Sequence, residues 1–124
     1  MDPLTREQFE DIVREALESL PKEFLSRLEN VVVMVEDEPS REQLDSNGLG
    51  GSDTLLGLYE GVPLTERHGY NMALPDRITI FQKPLEADCD DKDELISAVQ
   101  STVIHEVAHF FGISDDALDA MGLG

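Results

Sequence analysis

The chain has 124 residues, of which 40% are hydrophobic, and this length suits one folded domain with a single core. Its 27 acidic and 9 basic residues give a formal charge of −18, which would repel nucleic acid and anionic membranes, so we predict neither as a partner. The acidity fits either a solubilising surface or a preference for basic peptides. The first residues carry no basic, apolar leader and no apolar run could cross a bilayer, so we expect a cytoplasmic protein.

The N-terminal third of the chain predicts two helices followed by a strand. Thr5 and Gln8 form a capping-box pattern, after which apolar residues recur at helical spacing until Pro21. A second helix is predicted from Lys22 to about Leu28. The β-branched run from Val31 to Val35 is typical of a buried strand.

The middle of the chain predicts two further strands between long connections. The acidic stretch from Glu36 to Asp53 contains Gly, Ser, Asn and Pro and predicts a long exposed loop. Strands are predicted at Thr54 to Tyr59 and at Arg77 to Gln82, with a connection from Glu60 to Asp76 that is too long for a tight hairpin. The last long helix is predicted from about Asp91 to Phe111. Its apolar residues form one stripe, which we expect to be buried: Leu95, Ile96, Val99, Val103, Val107 and Phe110.

The same helix carries the string HEVAHFFGISD, which predicts a mononuclear zinc site. His105 and His109 are four residues apart and therefore share one helix face, so both imidazoles can bind one ion. Glu106 lies beside that position as the expected general base. Gly112 suits a left-handed helix end, after which Asp115 can return a carboxylate to the metal.

The third ligand is chosen from few candidates, because the fifteen residues after His109 contain no His, Cys or Glu. Asp115, Asp116 and Asp119 are the downstream possibilities. Asp115 is favoured because long zincin motifs place their third ligand at this spacing. His68 is an upstream alternative, and the ligand types also tolerate manganese, cobalt or iron.

Two functions from different classes fit this site. The first is a zinc-dependent peptidase or amidase, in which Glu106 takes a proton from a zinc-bound water that attacks the peptide carbonyl. Tyr70 or His68 would then donate a hydrogen bond to the oxyanion. The second is a non-catalytic, zinc-stabilised module that binds a peptide or protein. For the peptidase, a substrate could add as a strand to an exposed sheet edge, for which Thr54 to Tyr59 and Arg77 to Gln82 are the candidates.

Three segments give the chain a wider resemblance. They are LLGLYEGVPLTER at Leu55 to Arg67, LPDRITIFQKPLE at Leu74 to Glu86, and TVIHEVAHFFGISDDAL at Thr102 to Leu118. With these segments the chain resembles the minimal zincins, a small bacterial family classed as zinc metallopeptidases. The resemblance implies one α+β domain over residues 1–124. In this fold N-terminal helices and a small mixed sheet pack with the C-terminal active-site helix.

The resemblance also implies a set of site residues. Zinc would be held by His105, His109 and Asp115, with Glu106 as the base. The chain departs from the larger metzincin pattern, since Asp115 replaces a third histidine and Met121 is too near to form a separate methionine turn. A carboxylate ligand donates more negative charge than imidazole does, which predicts a weaker Lewis acid.

Overall fold

The computed structural model describes residues 2–28, 30–48, 54–61 and 76–120, apart from the side chains of Asp115, Leu118 and Asp119. Nine elements lie within these ranges: α1 (Arg6–Glu18), α2 (Lys22–Leu25), β1 (Val31–Glu36), α3 (Arg41–Ser46), β2 (Gly57–Glu60), β3 (Asp76–Phe81), α4 (Gln82–Ala87), α5 (Lys92–Phe111) and α6 (Asp115–Ala120). Among the described helices, none has the length and apolar character needed to cross a membrane.

The three strands form one mixed sheet in the order β1-β3-β2. β1 runs parallel to β3, with Val33 opposite Ile78. β2 runs antiparallel to β3, with Tyr59 opposite Ile78 on the other side. The predicted α+β class, with helices and a small mixed sheet packed on a C-terminal helix, is therefore confirmed.

The hydrophobic core lies between the sheet, α1 and α5, because α5 contacts α1, β2 and β3. The apolar stripe of α5 predicted from the sequence is largely confirmed, with Ile96 only partly buried. The core residues with no exposed surface come from α1, β3, α4 and α5: Phe9, Ile80, Leu85, Leu95 and Val99. α5 is therefore fixed by apolar packing along its length.

Local sequence signals fix the ends of α1 and α5. Thr5 and Gln8 exchange both hydrogen bonds of the capping box before α1, as predicted. The Asp91 side chain accepts a hydrogen bond from the Glu94 backbone N–H at 2.8 Å and begins α5. Gly112 ends α5 in the left-handed conformation with φ of 71°, which glycine adopts without steric cost.

Several predicted boundaries need correction. The stretch from Glu36 to Asp53 is not entirely loop, because α3 forms within it and begins with a Ser40–Gln43 capping box. α4 and α6 were not predicted from the sequence. α2 ends at Leu25 rather than near Leu28, and β2 begins at Gly57 rather than Thr54. β3 lies one residue earlier than predicted.

Candidate metal centre

The last two turns of α5 bring His105, Glu106 and His109 together. The two imidazole centroids are 4.4 Å apart, and His109 Nδ1 lies 3.3 Å from Glu106 Oε1. One ligand atom from each of the three residues lies within 4.8 Å of the others. The helical spacing predicted from the sequence therefore produces a cluster of two imidazoles and one carboxylate.

Glu106 is the buried member of the cluster, with only 5% of its surface exposed. Burial raises the pKa of Glu106 above its ordinary value, while the charge of His105 and a hydrogen bond from the Tyr59 backbone N–H lower it in part. The His109 side chain is 46% exposed, so the cluster opens to solvent on one side. A shielded carboxyl beside an accessible imidazole is an arrangement suited to proton transfer at an open site.

The hydrogen-bond pattern of β2 explains how Tyr59 reaches Glu106. The Phe81 backbone N–H donates to Leu56 O at 3.0 Å, and bonded pairs alternate along an antiparallel ladder. The backbone groups of Gly57 and Tyr59 therefore face away from β3. At Tyr59 the outward N–H is donated to Glu106.

Gly57 lets α5 approach this strand closely. A Cβ atom at residue 57 would lie 2.7 Å from Thr102 Cγ2 and 3.2 Å from Glu106 Cγ. The first distance is shorter than real Cβ contacts allow. A glycine at this position thus allows β2 to lie close to the cluster of His105, Glu106 and His109.

Two cavities flank the cluster along the same strand. One of about 400 Å³ is lined by Thr54, Leu55, Leu56, Gly57, Ser101, Thr102, His105 and Glu106. The other, of about 450 Å³, is lined by Tyr59, Gly61, His109, Gly112, Ile113 and Ser114. Because His105 and Glu106 border one cavity and His109 borders the other, the cluster lies between two spaces that a ligand could occupy.

A larger cavity, of about 520 Å³, lies away from the histidines. It is lined mainly by α3 and by Leu58 and Glu60, which alternate with the residues of β2 that face α5. Glu60 pairs there with Arg77 at 3.0 Å. We assign the candidate site to the smaller cavities because His105, Glu106 and His109 line them.

The donor set fits zinc. Zinc is commonly bound by imidazole nitrogens in compact four-coordinate sites, and two imidazoles converge here beside one carboxylate. His105 and His109 would bind the ion, leaving Glu106 beside it. These residues provide part of a coordination shell in which a third protein ligand and an open position would complete the site.

The family match agrees with this geometry. The sequence model of the family described as zincin-like metallopeptidase matches residues 28–124. The chain belongs to this family. The match includes the whole sheet and the metal cluster, whereas α1 and α2 precede it.

The fold of this zincin-like chain also resembles a solved structure, a conserved hypothetical protein from Thermo thermophilus. The two share 22% sequence identity with a TM-score of 0.57, and the alignment covers 95% of this chain and 97% of the other. At this identity the likeness concerns the fold alone. A comparison with curated proteins finds no match.

The structure describes only some of the residues predicted as the third metal ligand or as the oxyanion donor of the zincin-like chain. The Gly112 turn leads into α6, whose first residue is Asp115, but the Asp115 and Asp119 side chains lie outside the described residues. Asp116 lies on α6 and is exposed. His68 and Tyr70 fall within residues 62–75, which also lie outside the description. The third ligand and the oxyanion donor therefore stay predictions from the sequence.

The packing of β2 against α5 and its hydrogen bond to Glu106 were not predicted from the sequence. Of the two strands predicted as a possible edge for a substrate, Thr54 to Tyr59 corresponds to the edge strand β2. The alternative, Arg77 to Gln82, is wrong, because β3 is the central strand of the described sheet. Gly57 had a recognisable signal, since an isolated glycine inside a strand pattern often marks a close backbone approach. The contact between Thr102 and residue 57 depends on tertiary packing, which the spacing of residues along α5 does not predict. The backbone donor at Tyr59 had no sequence signal, because every non-proline residue carries the same N–H.

Proposed function

We propose that this zincin-like chain is a zinc-dependent peptidase. The observation that carries the proposal is the position of Glu106, a buried carboxyl 3.3 Å from His109 Nδ1 and bordering an open cavity. A helix that merely carried three polar residues on its surface would leave this carboxylate hydrated. Instead the carboxylate is shielded and receives a backbone hydrogen bond, as a general base requires.

His105 and His109 would hold the zinc ion, with Asp115 as the third ligand favoured by the sequence. When bound, zinc supplies Lewis-acid chemistry that acidifies water and polarises a carbonyl group. Glu106 would accept the proton of the attacking water and then transfer it to the leaving amine. The Tyr59 N–H would hold the Glu106 carboxylate in place while it exchanges this proton.

The β2 edge supports a peptide or protein as the substrate. Gly57 directs its backbone groups away from β3, so an extended peptide could pair with this strand beside Glu106. The cavities on either side would receive side chains flanking the scissile bond. Pairing through the backbone would set the scissile carbonyl near the metal cluster without requiring one particular side chain.

The test is hydrolysis of a diverse peptide library by zinc-loaded wild-type protein and by Glu106→Gln. Each sample is first shown to bind one zinc ion per chain, and cleavage is read by mass spectrometry. The glutamine keeps the shape of the side chain and its hydrogen-bond acceptor but cannot take up the proton. We expect cleavage by the wild type alone. Zinc binding without cleavage by either protein would instead support a peptide-binding module, and equal cleavage by both would reject Glu106 as the base.

A further inference from the structure

Asp76 is a buried carboxyl group close to the candidate site but on a different element from the metal cluster. It begins β3 and is only 1% exposed. A carboxylate removed from water needs hydrogen-bond donors to offset its lost hydration. One donor is the Tyr59 hydroxyl, which lies 2.7 Å from Asp76 Oδ2.

Tyr59 contacts both Asp76 and Glu106, each through a different group. Its side chain donates to Asp76, whereas its backbone N–H donates to Glu106. The ring also contacts Phe110 edge-on, with centroids 6.0 Å apart. Since the Tyr59 N–H faces away from β3, the sheet ladder does not hold it, and the side-chain anchor gains importance.

The chain closes around Asp76 from a second side at Gly61. A Cβ atom at residue 61 would lie 2.6 Å from Asp76 Oδ1, and Gly61 has φ of 153°, which favours glycine. The end of β2 therefore holds Asp76 between the Tyr59 hydroxyl and the Gly61 backbone. This arrangement fixes the end of the strand relative to β3.

We infer that Asp76 is a positioning residue, which acts through Tyr59 to hold the β2 edge against Glu106. The inference rests on the proposed peptidase function for its catalytic consequence. Without the anchor, Tyr59 would move with the end of the strand and its N–H would leave Glu106. The carboxylate could then turn toward His109 Nδ1, already 3.3 Å away, and lose the orientation needed to receive a proton.

The deciding variant is Tyr59→Phe, which removes the hydroxyl while keeping the ring and the backbone N–H. Hydrogen exchange of the amide at residue 59 is measured by NMR in the zinc-supplemented protein, with the Leu58 amide as the internal reference. We expect exchange at residue 59 to accelerate about tenfold, the scale of losing one hydrogen bond, with exchange at Leu58 unchanged. Asp76→Ala should produce the same selective change, and Tyr59→Phe decides the matter if that variant does not fold.

Glu60→Gln is the matched control, because Glu60 lies between Tyr59 and Gly61 but pairs with Arg77 on the other face of the sheet. It should leave the exchange at residue 59 unchanged. In the peptidase assay Tyr59→Phe should lower kcat about tenfold while KM and zinc stoichiometry stay constant. Unchanged exchange at residue 59, or exchange that rises equally at Leu58, would overturn the positioning role. Selective acceleration with unchanged kcat would overturn its catalytic consequence.

Failure of the proposed function would have a different signature. If the wild type binds zinc and cleaves no peptide, the peptidase proposal fails. The exchange data would still decide whether Asp76 keeps the Tyr59 N–H in contact with Glu106.

Discussion

Replacement of Gly57 by alanine tests how closely β2 and α5 must pack. No positive φ is found at Gly57, so its backbone accepts an L side chain and the cost comes from contact alone. The new Cβ would lie 2.7 Å from Thr102 Cγ2, about 0.8 Å closer than the optimal separation of about 3.5 Å between carbon atoms. Thr102 cannot easily turn aside, because its hydroxyl donates to Ala98 O at 2.8 Å within the helix.

The expected loss of stability follows from two opposing effects. Overpacking of this kind costs about 1–3 kcal/mol, while replacing glycine in a permitted conformation recovers about 0.4–1 kcal/mol from the unfolded state. The mid-values of these two effects predict that Gly57→Ala lowers the free energy of unfolding by about 1.3 kcal/mol, within a range of about 0–2.6 kcal/mol. Since the same Cβ would lie 3.2 Å from Glu106 Cγ, peptidase activity should fall as well.

Thr102→Ser should relieve the clash with the alanine at position 57, because it removes the clashing methyl group and keeps the hydroxyl. Alone it should cost about 1 kcal/mol for the lost buried methyl. Urea denaturation gives the free energies of unfolding of the wild type, both single variants and the double variant, which form a double-mutant cycle. The double variant should be about as stable as Thr102→Ser alone. Losses that simply add, within about 0.5 kcal/mol, would refute the contact as the cause.

Gly48→Ala is the control for glycine replacement elsewhere. Gly48 has φ of 73°, and nothing lies within 4 Å of the place that a Cβ atom would take, so its replacement strains the backbone without a clash. Combining it with Thr102→Ser should therefore give additive losses.

Three further predictions concern the helix end, the buried base and the metal. Gly112→Ala should lower the free energy of unfolding by about 1 kcal/mol in urea titrations, because φ of 71° strains alanine; an unchanged midpoint would contradict this. In metal-free protein, burial raises the folded-state pKa of Glu106, so stability should be lost as pH rises above about 4.5. Glu106→Gln should thus be more stable than wild type at pH 7 and not at pH 4; equal differences at both would contradict the burial effect. Chelation of zinc should leave the far-ultraviolet circular dichroism unchanged, because the fully buried core involves Phe9 and Leu95 rather than the histidines; unfolding would indicate a structural ion.

Much of the fold could be predicted locally. The Thr5 capping box and the apolar stripe of α5 predicted their helices because hydrogen bonds and burial within a few turns determine them. The missed helix α3 carried a similar signal in Ser40 and Gln43, hidden within an acidic, polar stretch. The strand boundaries were less certain, because pairing with β3 decides where β2 begins.

The chemical identity of the candidate site follows from local sequence spacing. His105 and His109 share a face because helical geometry repeats every 3.6 residues, and Glu106 follows from the same motif. Gly112 ends the helix because its left-handed conformation is a local property of glycine. These features need no distant part of the chain.

The surroundings of these residues depend instead on contacts between distant parts of the chain. Gly57 matters because α5 packs against it, and Tyr59 matters because the antiparallel register turns its N–H toward Glu106. Asp76 reaches Tyr59 across the sheet, although the two are 17 positions apart in the chain. Contacts of this kind depend on strand register and on the approach of a helix to a sheet, and neither is encoded in the spacing of neighbouring residues.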